Sequence, residues 1–258
     1  MATTLGRHSE RLRHVRTLKT VKGRREQQRF AFEGPTLLDE ALRSATELAE
    51  LYVTQSAYDT SRHVRDLDAA GTPTFVVDER TAANLSDVDT PSGLLAVAPM
   101  RFRALGDLFD RDGVLLVLAD LNDPGNAGTL LRSADAFGVP GVVFGRTGVD
   151  PYHPKVVRAA MGALFRLDLA LGDPADVKAA ALAGGFEVIG LATGADPLDA
   201  VTWPPRTALV IGQERRGLGP WAGPCDRFLS IRMPGQSESL NAAVAGSIGL
   251  YEAIRNRP

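Results

Sequence analysis

Three short polar runs in this sequence carry side chains able to do chemistry, and each follows an apolar run of strand type. The first holds Asn126 and Arg132, after residues 114–119. The second offers Glu214, between Gly212 and Gly217, after residues 207–210. The third follows residues 228–231, turns at Pro234-Gly235 and presents Ser239 and Asn241. Leu240, Val244, Ile248 and Tyr251 then recur at helical spacing, which predicts one apolar stripe on a closing helix. Ser237 is its expected N-cap, so that Ser239 and Asn241 would sit among the unpaired backbone N–H groups of the first turn. Polar side chains and free donors at strand-to-helix corners are what an α/β protein offers a ligand. Each also has a plainer reading: Arg132 paired with Asp135 at helical spacing, Glu214 with Arg215 or Arg216, and Ser239 and Asn241 as parts of an ordinary helix cap.

Other chemistries find little support. Cys225 is the only cysteine, which excludes an intrachain disulfide and a cysteine-rich zinc site. His8, His14, His63 and His153 are scattered without metal-ligand spacing, so no metal is expected. There is no Gly-x-Gly-x-x-Gly turn and no P-loop. The formal net charge of −2 does not advertise nucleic-acid binding, which must then rest on local patches. No apolar run is long enough to cross a bilayer and the basic start lacks a signal-peptide core, so a cytoplasmic location is expected.

In order and spacing the three runs resemble the motif set of the SpoU (TrmH) family of RNA ribose 2′-O-methyltransferases, part of the SPOUT superfamily. The family's first motif matches Asn126 through Arg132 to Gly138. Its second, Gly-x-Glu-x-x-Gly-Leu, falls on Gly212, Glu214, Gly217 and Leu218, and its third on Ile231, Met233, Gly235, Ser239, Leu240 and Asn241. Arg232 stands where proline is common, and Ala242-Ala243 replaces a more usual Val-Ser. The resemblance implies S-adenosylmethionine as cofactor, a sheet closed by a C-terminal trefoil knot, and a homodimer packed through helices around that knot. It places the cofactor on Gly212, Ile231 and Leu240, with Thr193, Gly194 and Met233 as neighbours. Methyl transfer to a ribose hydroxyl also needs the hydroxyl proton removed and the adjacent phosphate pinned. Arg132 is implied as the phosphate clamp; a guanidinium is a poor base, so electrostatic lowering of the hydroxyl pKa is its simpler role. Glu214 would order the site by accepting hydrogen bonds from Asn126 or Ser239. Asn126 and Arg132, six residues apart, would lie about 120° apart on a helix, so their convergence requires Asn126 in the loop before it.

These corners need elements to hold them. From residue 113 short apolar strands alternate with helices, which predicts a mostly parallel sheet covered on both faces, with ligands beyond the carboxyl ends of its strands. Ahead of it the pattern reads as a smaller α/β layer domain resembling the substrate-binding domain of many SpoU enzymes. The expected division is residues 1–98 for RNA binding, 99–106 as a linker and 107–258 for catalysis. The N-terminal segment is basic, and Arg16, Lys19, Lys22, Arg24 and Arg25 are its expected phosphate contacts, with a solvated charged face as the alternative. This separate domain favours ribosomal over transfer RNA; a non-catalytic RNA-binding or ribosome-assembly factor is the rival, and a base methyltransferase a third.

Overall fold

Phe30 and Phe32 alternate with Arg29, Ala31 and Glu33, and that period of two makes the segment a strand with one aromatic face. In the computed structural model, which describes residues 2–213 and 216–255, it belongs to the first of two units. This unit comprises the chain up to Met100 together with Tyr152–Phe165; the second comprises Arg101–Pro151 and the chain from Arg166 onward. The first unit runs β1 (Thr3–Thr4), α1 (Glu10–Thr17), α2 (Val21–Gln27), β2 (Arg29–Glu33), α3 (Pro35–Arg43), β3 (Glu50–Val53), α4 (Gln55–Thr60), α5 (Arg62–Ala69), β4 (Thr74–Val76), α6 (Glu79–Leu85) and β5 (Leu94–Pro99). Its sheet has the order β1-β4-β3-β5-β2.

The basic N-terminal segment is not a loose arm. Leu12, Val15 and Leu18 are buried against Tyr52, Val77, Leu85 and Val97, so apolar spacing folds α1 onto the sheet. The chain breaks between Thr17 and Val21, and Gly23 lies inside α2. A Cβ at Gly23 would sit 2.1 Å from the Thr17 carbonyl oxygen, so glycine is what lets α2 fold back this closely on α1. The aromatic face of β2 is covered by Tyr152–Phe165, although sequence pattern placed those residues in the second domain. Ring centroids of Phe30 and Tyr152 are 4.6 Å apart, and Phe165 meets Phe32 edge-on at 5.0 Å. Two phenylalanines on one face of an outer strand would otherwise lie bare, and burial of rings this large is strongly favourable.

The second unit continues with α7 (Leu105–Phe109), β6 (Gly113–Leu118), α8 (Pro124–Ala136) and β7 (Gly141–Gly145); α9 (Pro154–Ala159) belongs to the first unit. Then follow β8 (Asp168–Gly172), α10 (Pro174–Gly184), β9 (Glu187–Pro197), β10 (Arg206–Ile211), β11 (Arg227–Ser230) and α11 (Ala242–Ile254). Ala163–Phe165 form a 3₁₀ turn, so β8 begins only at Asp168. The six strands are parallel in the order β11-β9-β10-β6-β7-β8. Leu115, Val117, Ala208 and Val210 join Leu108, Phe109, Val177 and Ala181 of α7 and α10 in one core cluster. On the opposite face, Leu209 and Ile211 meet α11. The sheet is thus buried on both sides, as its near-continuous apolar strands require. The strand order reverses between β6 and β10, whose residues pair from Arg206↔Gly113 to Ile211↔Leu118. Their carboxyl ends therefore emerge level, at the switch point where such sheets bind ligands.

The last helix departs from expectation in two ways. Its N-cap is Asn241, not Ser237, with the Asn241 side chain accepting from the backbone N–H groups of Ala243 and Val244. The expected inward stripe faces outward: Val244 is 47% and Tyr251 54% exposed, while Ala242, Ala243, Gly246, Gly249, Leu250 and Ala253 are buried. The reason is distance. A Cβ on Gly246 would lie 2.5 Å from Leu130 Cδ2, and one on Gly249 2.9 Å from Leu191 Cδ1. Only small residues permit so close an approach at these two positions; Leu250 finds room on the inner side, whereas Val244 and Tyr251 are left on the far side. Gly246→Val is expected to destabilise the protein by about 1–3 kcal/mol through overpacking, read as a lowered melting temperature; an unchanged melt would refute the close packing.

Candidate active site

The carboxyl ends of β9, β10 and β11 open into a cleft of about 640 Å³, within the range that accommodates small-molecule ligands. Thr193, Gly212, Ile231, Met233, Ser239 and Leu240 line it. Gly194 follows Thr193 on β9 with φ +76°, but is not part of the lining. Five of the six cofactor residues expected from sequence thus meet at one cleft. Ile231, Met233 and Leu240 give it an apolar wall suited to a purine, and Gly212 brings backbone to its edge. A Cβ on Gly212 would lie 2.4 Å from the Gly217 carbonyl, so the loop closes over itself only with glycine there. This combination of apolar wall, close-packed glycine backbone and polar rim fits the adenosyl and amino-acid parts of S-adenosylmethionine.

Beside the cleft, Asn241 lies between the lining residues Leu240 and Ala242. Its Nδ2 donates to Oδ1 of Asn126 at 2.9 Å, while its own Oδ1 caps α11. Asn126 is not in a loop: Asp123 caps α8 by accepting from the Asn126 N–H at 2.7 Å, which sets Asn126 in the first helical turn. Arg132 lies on the same helix, about 9 Å further along the axis. It is also about 120° around that axis from Asn126, so the expected convergence through a loop-borne Asn126 is not met. Arg132 is exposed and makes no ion pair with a described residue. Asp135 pairs instead with Arg166 at 2.8 Å. Glu214 lies outside the described residues. Among those described, no cluster of His, Cys, Asp or Glu is arranged to hold a metal ion. Burial pushes the Cys225 thiol up to about 11, so it is no nucleophile.

The basic segment of the first unit is unequally available. Arg25 is exposed, Arg16 is half-buried, and Lys22 pairs loosely with Glu26 at 3.8 Å on a highly exposed surface. Lys19 is tied to the Ser86 carbonyl at 2.7 Å and to Asp87 at 3.4 Å. Arg24 cannot serve as a phosphate contact: it is fully buried, donating to the Leu18 carbonyl at 2.8 Å where α1 turns into α2. A buried guanidinium held by backbone carries structure, not substrate.

Sequence motifs also left out a residue that joins the loops beneath the cleft. Asp120 follows β6 in the left-handed region, with φ +50°. Its Oδ2 accepts from Trp221 Nε1 at 2.9 Å, its Oδ1 from the Thr147 N–H at 3.3 Å, and its carbonyl from Gln213 Nε2 at 2.7 Å. One residue thus ties the loops after β6, β7 and β10. Room for it comes from Gly145 and Gly148, where a Cβ would fall 2.1 Å and 2.9 Å from Asp120 atoms. The only sequence cue was the pair of glycines after β7. Asp120→Ala is expected to weaken S-adenosylmethionine binding about tenfold, the equivalent of one to two buried hydrogen bonds. Asp120→Asn, which keeps an acceptor for the indole and tolerates the left-handed backbone, should stay within about threefold of wild type. Titration calorimetry decides; wild-type affinity in the alanine variant would show that these loops hold without Asp120.

Comparison with known proteins agrees with this geometry. Residues 113–251 match the SpoU rRNA Methylase family, and residues 9–96 the MRM3-like substrate binding domain. The chain is 31% identical over 246 residues to the 23S rRNA (guanosine(2553)-2′-O)-methyltransferase RlmP of Bacillus subtilis, covering 94% of this chain and 95% of that one. Among solved structures, an AdoMet-bound rRNA methyltransferase from Sinorhizobium meliloti superposes with a TM-score of 0.89 at 25% identity, over 100% of this chain and 99% of the other. The SpoU methyltransferase AviRb from Streptomyces viridochromogenes, in complex with AdoMet, does so at 0.88 and 27%, covering 97% and 98%. With Gly212, Ile231, Met233, Ser239 and Leu240 lining one cleft, the chain belongs to the SpoU rRNA methylase family and is an RNA ribose 2′-O-methyltransferase.

Proposed function

We propose that the protein methylates a ribose 2′-hydroxyl of ribosomal RNA, with S-adenosylmethionine in the cleft lined by Gly212, Ile231, Met233 and Leu240. The observation that carries this reading is the Asn241–Asn126 hydrogen bond, which sets the first turn of α8 beside that cleft. When bound, the cofactor supplies an electrophilic methyl group on a sulfonium. The chain's part is to hold the ribose in line with it. Arg132 clamps the phosphate beside the target ribose, and its charge favours the alkoxide character that develops as the hydroxyl proton leaves. Because a guanidinium keeps its protons, Arg132 acts by charge and position. Ser239 stands exposed on the cleft rim with no hydrogen bond to a described residue, available to the ligand. Glu214 completes the polar set through its place in the family motif. On this reading residues 107–258 carry the chemistry, residues 1–98 capture RNA, and a ribosomal substrate places the enzyme in the cytoplasm.

The family's homodimer is supported by the outward stripe of α11. Val244 and Tyr251 are exposed and Ile248 partly so, with Phe137 of α8 6.0 Å from Tyr251. A contiguous apolar strip on a surface helix needs a cover, and a second copy of the same helix is the cover we infer. The trefoil knot is likewise supported by family and by the path of the chain: from the edge strand β11 it returns through residues 231–241 to lay α11 on β6, β9, β10 and α8.

The purified protein is expected to bind S-adenosylmethionine in calorimetry without added divalent ion, and mapping of rRNA ribose methylation in deletion and parent strains should reveal one lost site. Arg132→Ala should lower single-turnover methylation by roughly 10²–10³-fold while cofactor affinity holds; near-normal methylation would overturn the assigned mechanism. Replacing Val244 and Tyr251 together with glutamate should convert a dimer to a monomer in sedimentation, and an unaltered dimer would place the interface elsewhere.

A further inference from the structure

The first unit contains a cleft of about 360 Å³ between α1 and the sheet, walled by Glu10, Arg11, His14, Gln27, Arg29 and Glu50 over an apolar floor that includes Val15, Leu18 and Val97. At its centre is a fixed carboxylate. Glu50, with a side chain only 14% exposed, accepts from Arg11 at 2.8 Å, from Arg29 at 3.3 Å and from the Tyr52 hydroxyl at 2.6 Å. Burial and the adjacent Glu50 carboxylate push the Tyr52 phenol far above its ordinary pKa, so it stays a donor. Glu50 therefore does not reach for a ligand; it holds two guanidinium groups still. Arg11 is held a second time, with its guanidinium carbon 4.5 Å from the centroid of Phe75. A planar cation fixed at one edge by a carboxylate and backed by an aromatic ring is a preformed stacking surface. Its side chain is 45% exposed, and that of Arg29 44%.

The charges select the ligand. Arg11 and Arg29 balance Glu10 and Glu50, so these four wall charges cancel. Such a cleft offers little to a phosphate, which would meet two carboxylates. It offers stacking, an apolar floor and mixed donors and acceptors, which is what an unpaired nucleobase requires. Phosphate contacts are left to the exposed Arg13 and Arg25 of α1 and α2. We propose that this cleft is a base-binding subsite, taking one unpaired nucleobase of the RNA against the Arg11 guanidinium, so that the first unit reads single-stranded structure and not only backbone charge. The proposal rests on the RNA-methyltransferase reading above.

The test uses the full chain and a fluorescein-labelled single-stranded RNA of about 12 nucleotides, free or annealed to its complement, with binding followed by anisotropy at fixed salt. Wild type should prefer the single strand. Arg11→Ala and Arg11→Lys should each weaken single-strand binding by about tenfold, the cost of one lost stacking contact, and leave duplex binding and cofactor affinity at wild-type values. The lysine variant keeps the charge, so its loss separates stacking from electrostatics. Arg25→Ala should weaken both RNAs alike. Cross-linking of wild type to 4-thiouridine-containing single strand should label the cleft walls. Equal weakening of both RNAs by Arg11→Ala, wild-type binding in Arg11→Lys, or cross-links only outside the cleft would each overturn the proposal. An enzyme that methylates rRNA yet shows any of these results loses the subsite alone; one that transfers no methyl group to rRNA loses the reading on which it rests.

Discussion

The close seating of α11 on the sheet is the constraint on which the catalytic unit depends. Ala242, Ala243, Gly246, Gly249 and Ala253 form its inner face, and steric contact begins at the first carbon that would be added. Close-packed interiors transmit such constraints over several residues. A helix pressed this near to β10 and α8 has its first turn fixed in both height and rotation. Asn241 is thereby brought to Asn126, and Ser133 Oγ to Ser247 Oγ at 2.7 Å on the same pair of helices. The same seating expels Val244 and Tyr251 to the outside. One packing decision thus positions the polar pair at the site and leaves an apolar strip on the surface.

Around the cleft the loops are held by hydrogen bonds and glycine contacts, with little use of ion pairs among the described residues. Asp120 accepts from an indole and a backbone N–H, and the Gln213 carboxamide donates to backbone. Asn126 and Asn241 are amides. Arg132, on the same helix as Asn126, has no carboxylate partner among the described residues. That distribution suits an enzyme whose substrate brings the negative charge: a guanidinium already engaged by a carboxylate would have to exchange partners on binding, at a cost in desolvation and in lost pairing.

In the first unit the opposite holds. Arg7 pairs with Asp78, Arg11 and Arg29 with Glu50, and Arg24 with the Leu18 carbonyl. Much of a conspicuously basic segment is spent on architecture, joining α1 and α2 to the sheet. Its nucleic-acid affinity then rests on fewer free charges than a count of arginines indicates, and shape and stacking gain weight in recognition.

The sequence by itself determined the class of fold and pointed to residues that share one cleft. Apolar runs such as Leu115–Leu118 can only be strands buried on both faces, and motif residues bound to strand ends must gather where a parallel sheet gathers its ligands; Gly212, Ile231, Met233 and Leu240 accordingly line one cleft. What only the tertiary structure decided are matters of distance and facing. Helical periodicity finds an apolar stripe but not which side packs, and on α11 the glycines and alanines pack because the sheet lies too near for Val244 or Tyr251. A run of basic residues gives charge but not depth, so Arg24 reads like Arg25 although one is buried and the other exposed. Asn126 sits inside α8 because the Asp123 cap begins that helix early. Tyr152–Phe165 leaves the catalytic sheet for β2 because the uncovered Phe30 and Phe32 lie more than a hundred residues earlier in the chain. Asp120 carries no motif at all: its role arises from three loops that meet only once the strands β6, β7 and β10 are side by side. Local sequence encodes period and type, while contact between distant segments is set by the volume each side chain leaves to the next.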